Sequence, residues 1–101
     1  MSAYRFTPTA KERLAAIFRY SAAKFGERRA ARYMGAIDEV VKPAAAGESV
    51  LRPCEHYGPG LHSVRSGSHV IFIRREADFL VVVGVLHQMM EPSRHLSADD
   101  G

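Results

Sequence analysis

Cysteine occurs once in the 101 residues, at Cys54. A lone thiol forms no internal disulfide and fits a reducing compartment. Lysine is almost as scarce: Lys11, Lys24 and Lys42 all fall in helical stretches, and neither lysine nor tyrosine follows Tyr57. Long apolar runs are missing too. The longest, residues 79–86, falls far short of the ~20 residues that cross a bilayer. Residues 1–6 lead straight into Thr7-Pro8 with no apolar signal core. A soluble, cytoplasmic protein with no membrane partner is expected. Acidic residues are absent from residues 56–75, which carry Arg65, Arg74, Arg75 and three histidines. With a formal charge of +3 and a pI near 9.4, this makes one end of the molecule electropositive, a field suited to nucleic acid or to an acidic protein. His56, His62 and His69 lack zinc spacing, and no Cys-x-x-Cys occurs. No metal and no cofactor are expected.

What is present is enough for one small domain, taken as residues 1–101 with a frayed tail at 97–101; 47% hydrophobic content is ordinary for a globular chain of this size. Residues 61–96 read as its centre. Val70, Phe72 and Arg74 share one face of a period-two strand, and His69, Ile71, Ile73 and Arg75 share the other. Ser66-Gly67-Ser68 supplies the turn into that strand, and Glu76-Ala77-Asp78 the turn out of it. The valine-rich run 79–86 is apolar at every position except Gly84, as in a strand covered on both faces. Three antiparallel strands in a meander follow.

The N-terminal half reads as cover for that meander. Residues 3–6 alternate and suit an edge strand. Thr7 with Pro8 behind it, or Thr9 with Glu12 as a capping box, starts a helix. Its stripe is Ala10, Leu14, Ile17, Phe18, Ser21 and Phe25, and Gly26 ends it. A second helix carries Ala30, Tyr33, Met34, Ile37, Val40 and Val41 inward, with Arg28, Arg29 and Arg32 mostly on the wet side. The single-glycine joint implies an antiparallel helical hairpin. Pro43 is expected to kink or end the second helix, with residues 44–46 able to add one turn. Residues 47–60 read as a loop with at most a short extended piece. Two helices on a small sheet leave its second face poorly covered, which invites a partner.

The segments Y-R-F-T-P-T-A-K-E-R-L-A-A-I, S-G-S-H-V-I-F-I-R and V-L-H-Q-M-M-E-P-S-R-H-L, in this order, resemble the ParE branch of the RelE/ParE toxin superfamily. The resemblance covers nearly the whole chain. The third segment is the most telling, with His87 closing a strand ahead of a methionine and Arg-His-Leu. Two departures stand out: Pro43 lies earlier than the usual proline, and Leu61-His62-Ser63 replaces the arginines that commonly open the first meander strand. The resemblance implies an α+β fold: N-terminal edge strand, two-helix antiparallel hairpin, then a three-strand antiparallel meander. It implies the toxin of a bacterial type II toxin–antitoxin pair, inhibiting DNA gyrase by protein–protein contact with no reaction of its own. It also implies a ParD-like ribbon-helix-helix antitoxin as partner in a hetero-oligomer, with no direct role for nucleic acid.

The residues taken as antitoxin- or target-binding are Arg65, His69, Arg74, Arg75, His87, Met90, Arg94 and His95. The arginines of the meander would attract an acidic antitoxin tail. Met90, Arg94 and His95 sit on an exit segment able to adapt to a partner surface. His69 opens its strand and is expected to be exposed; His87 is expected to fix a turn through a ring nitrogen. The rival is a RelE-type endoribonuclease acting on ribosome-bound message. That chemistry needs a base, an acid and cations, and Arg65, Arg74 and His87 are the sparse set this chain offers for it.

Overall fold

The computed structural model describes residues 3–96, and the fraying expected at 97–101 lies outside them. The elements run β1 (Ala3–Phe6), α1 (Pro8–Phe25), α2 (Glu27–Ala45), β2 (Arg52–Pro53), a 3-10 turn (Glu55–Tyr57), β3 (Leu61–Ser66), β4 (His69–Arg75), β5 (Phe79–His87) and α3 (Pro92–His95). The five strands form one sheet in the order β1-β5-β4-β3-β2. β1 runs parallel to β5 at its edge, with Ala3 opposite Phe79. The other pairings are antiparallel. The α+β order of edge strand, helical hairpin and meander is thus the one the sequence implies, with a two-residue β2 added at the far edge.

Thr7 joins the sheet to the helices. It is fully buried; its N–H donates to the Val82 carbonyl at 3.0 Å, while its hydroxyl accepts the Ala10 N–H at 3.1 Å. Thr7 is therefore the cap of α1, with Pro8 at the first helical position, where the missing N–H costs nothing. Gly26 alone separates the helices. Its φ of 94° and ψ of 156° are extended on the positive-φ side rather than left-handed helical, which still favours glycine. Pro43 does not end α2. The helix runs on to Ala45, and the Glu48 N–H closes onto the Pro43 carbonyl at 2.8 Å.

Each face of the sheet has its own core. On one, Ile71, Ile73, Leu80, Val82 and Val85 pack against Ala10, Ile17, Ile37, Val41, Ala44 and Ala45 of the helices. On the other, Leu61, Phe72, Val81, Val83 and Leu86 gather around buried Cys54. Each such large side chain, fully buried, contributes about 1.5–3 kcal/mol. The second face is not left poorly covered, as the sequence suggests. Tyr57 lies over it, ring to ring with Phe72 at 6.3 Å, and Met90 and Leu96 of the exit segment pack against it.

The apolar run of β5 hides an irregularity. Ile73 pairs with Val82 but Phe72 pairs with Gly84, so Val83 is an extra residue in the ladder. Such a bulge shifts the alternation by one. Leu80 and Val82 face the helices before it, and Val85 does so after it. His87 therefore lies on the helix face, directly across from His69. An unbroken alternation would put it on the opposite face.

Candidate functional site

Where the helical joint overhangs the end of the sheet at the β3–β4 turn, an open groove of about 890 Å³ is formed. Its walls come from four elements. α1 supplies Arg13, Ile17 and Tyr20, and Phe25 closes the helix end. α2 supplies Arg29, Arg32 and Tyr33. His69 and His87 form the floor, with Met90 beside them. No Asp or Glu is among the lining residues described. Three guanidiniums and two imidazoles therefore share a largely apolar concavity with no internal counter-charge.

The aromatic walls are held by their own basic neighbours. Phe25 and Tyr20 are both more than half exposed, so the apolar stripe of α1 leaves the core before it ends. The Arg29 guanidinium lies 5.1 Å from the centre of the Phe25 ring, and the Lys24 ammonium sits 5.4 Å from that of Tyr20. Cation–π contacts of this kind keep exposed rings ordered at a gain of roughly 0.5–1 kcal/mol each.

The floor is a hydrogen-bonded cluster. The Tyr33 hydroxyl meets Nδ1 of His69, and it also reaches the Ser66 carbonyl at 3.3 Å. His69 is half-buried rather than exposed, because Tyr33 packs on it with ring centres 5.4 Å apart. Burial, then His87, then Arg13, hold the His69 imidazole below its ordinary pKa of about 6.5. His87 does fix a turn, but as an acceptor: its Nδ1 takes the Met89 N–H at 3.2 Å. That bond places the proton of neutral His87 on Nε2.

Of the residues singled out in the sequence, His69, His87 and Met90 line this groove. Arg65 pairs with Val70 and so belongs to the opposite face; its Nε donates to the Gly67 carbonyl at 3.3 Å. Arg74 lies near the far end of β4, on the same opposite face, and its Nε meets Glu76 at 3.4 Å. Arg75 is six positions from His69 along one strand, about 20 Å at the usual rise. Arg94 and His95 are exposed on the four-residue α3. Arg65, Arg74 and His87 thus share no common site. Tyr33, Arg13, Arg29 and Arg32 are the groove residues that the sequence reading assigned to core or solvent, or passed over. Their signal was the arginine pair at i and i+3 beside an aromatic, close to the glycine joint.

Cys54 is buried, and burial raises its thiol pKa, opposed by a bond to Ser63. That is the setting of a packed side chain and not of a nucleophile. Among the described residues no group of three or more His, Cys, Asp or Glu is placed to hold a metal ion. No described helix is long and apolar enough to cross a membrane.

Residues 4–92 match the family model described as the ParE toxin of the type II toxin–antitoxin system parDE. The chain is 32% identical over 96 residues to Toxin ParE1 of Caulobacter vibrioides, covering 95% of this chain and 99% of that protein. It is 29% identical over 92 residues to Toxin ParE of Escherichia coli, covering 90% and 89% respectively. A solved structure described as the chromosomal ParDE TA system from P. aeruginosa superposes with a TM-score of 0.73. That likeness covers 86% of this chain and 96% of the other at 22% identity, and shows a shared fold. With the family model spanning most of the chain, this protein belongs to the ParE toxins of type II toxin–antitoxin systems.

Proposed function

We propose that this chain inhibits DNA gyrase by protein–protein contact, trapping the enzyme on broken DNA, and that a ParD-like ribbon-helix-helix antitoxin neutralises it. Family membership supplies the prior. The observation that carries the partner reading is the groove, which is concave, apolar, lined by Arg13, Arg29 and Arg32, and free of acidic side chains among its described residues. A flexible acidic segment that folds on binding fits such a surface: its apolar side fills the concavity and its carboxylates meet the guanidiniums. The toxin itself performs no reaction in this reading. It acts in the bacterial cytoplasm, where both partners reside.

The ribonuclease rival loses its stated constellation, because Arg65 and Arg74 stand on the other face from His87. Induced expression in a bacterial host tests the proposal. Arrested DNA replication, relieved when the neighbouring antitoxin frame is co-expressed, is the expected result. Arrest of translation with cut messages at ribosomes would favour the rival instead.

A further inference from the structure

The two imidazoles on the groove floor differ in what protonation would do to them. His87 accepts the Met89 N–H at Nδ1, so adding a proton there breaks that bond. The neutral ring already presents Nε2–H. His69 meets a hydroxyl at Nδ1, and a hydroxyl both donates and accepts. When His69 is neutral, Tyr33 donates to it. When His69 is charged, Nδ1–H donates to the Tyr33 oxygen, and the Tyr33 proton turns to the Ser66 carbonyl, already 3.3 Å away. The His69 ring can therefore change charge without losing a bond. Among the described residues neither Nε2 has a hydrogen-bond partner. The rings meet edge to face with centres 5.5 Å apart, so one small anion can reach both.

The surroundings supply charge of one sign only. Arg13 on α1 is close enough to oppose protonation of His69. Arg29 and Arg32 on α2 line the same groove, and His87 of β5 adds to the repulsion. β3 presents the Ser66 carbonyl, and the exit segment presents Met90. No described acidic side chain lines this space. An incoming carboxylate would supply the missing counter-charge.

We propose that the head of the groove is a carboxylate subsite: Nε2–H of His69 and of His87, with the Arg13 guanidinium, hold an acidic side chain of the docked antitoxin segment, and His69 takes up a proton as it docks. The proposal rests on the reading of this chain as an antitoxin's target. A protein segment is favoured over nucleic acid because Ile17, Tyr20, Phe25 and Met90 make the rest of the groove apolar. An amphipathic helix buries such walls, whereas a phosphate backbone prefers a continuous basic track. Binding is then tighter in mild acid, because the free chain resists the charge that the bound state keeps.

The test uses the purified full-length chain and two fluorescein-labelled amphipathic helical peptides, one of leucine and glutamate and one of leucine and glutamine. Fluorescence anisotropy gives their affinities. Between about pH 8 and about pH 6 the glutamate peptide should tighten by about three- to tenfold, as His69 takes up its proton on binding. The glutamine peptide should not respond. His69→Gln should abolish the pH response; His87→Gln should weaken the glutamate peptide at both values. Cooperative melting of each variant at neutral pH shows that it is folded. Equal affinity for both peptides, or a pH response that survives His69→Gln, overturns the subsite. So does a single-stranded oligoribonucleotide that shows the pH response while the peptides do not. A second arm uses the antitoxin of the neighbouring frame. The His69→Gln/His87→Gln double variant should release it faster than wild type in mild acid. Equal release overturns the subsite and leaves the toxin–antitoxin reading standing, whereas no complex with wild type overturns that reading itself.

Discussion

His69 and His87 lie opposite one another across β4 and β5 with ring planes 88° apart, and the extra residue Val83 is what sets them on one face. The pair has a consequence for the free chain. His69 is held below its ordinary pKa by burial, by His87 and by Arg13. Above about pH 6.5 the imidazole is neutral in both folded and unfolded chains and exerts no penalty. As pH falls through that value the unfolded chain binds a proton that the folded chain resists, so stability declines until the lowered folded pKa is passed.

The melting temperature of the uncomplexed protein should therefore drop between about pH 7 and about pH 5. His69→Gln should shallow that drop. Differential scanning fluorimetry of the two proteins across the range measures both slopes, and equal slopes would assign the acid response to other groups.

Leu96 and Gly84 form a second close relationship. A β-carbon on residue 84 would stand 2.5 Å from Cδ2 of Leu96, so the exit segment is seated where the strand has no side chain. The clashing atom is the tip of a flexible side chain near the end of the described chain. Gly84→Ala should therefore displace Leu96 rather than distort the sheet, costing less than the about 1–3 kcal/mol typical of an overpacked core. The expected outcome is a small fall in melting temperature with faster tryptic cleavage after Arg94. A large loss of stability with no change in cleavage would show that the strand, and not the exit segment, yields.

At the β1 edge the Tyr4 hydroxyl donates to Asp38 on α2 at 2.5 Å. This bond to a carboxylate, together with burial, pushes the Tyr4 pKa up to about 12, and it draws Asp38 down. The raised phenol contributes stability that is whole below about pH 10 and fades as pH climbs toward about 12. The lowered carboxyl contributes stability that is present above about pH 4 and fades on further acidification. Tyr4→Phe should cost roughly 1 kcal/mol at neutral pH, the usual worth of a half-exposed hydrogen bond. It should also remove part of the alkaline loss, which urea midpoints at neutral pH and near pH 11 would reveal.

Much of this molecule is legible in its sequence, for identifiable reasons. Thr7-Pro8 and Gly26 are local signals that need no tertiary context, so the helical hairpin follows from them. The alternation of β4 separates Phe72 from Ile71 and Ile73 correctly, because its ends are polar. β5 offers no such contrast. When every position is apolar, a one-residue bulge leaves no trace, and the side on which His87 emerges cannot be read. Phe25 misleads for the opposite reason: it keeps helical spacing with Ile17 and Phe18, yet α1 overruns the sheet there and the ring becomes a groove wall. The cover of the second face was hidden because Tyr57, Met90 and Leu96 come from segments without periodicity.

The proposed inhibition of gyrase by contact alone is tested by the supercoiling of relaxed plasmid by purified gyrase, with the purified chain added and the products scored for linear DNA. Loss of supercoiling with accumulation of protein-linked cleaved plasmid, both prevented by prior addition of the antitoxin, is the expected result. Unimpaired supercoiling at toxin concentrations well above those of gyrase, with cleavage of ribosome-bound message by the same preparation, would contradict it.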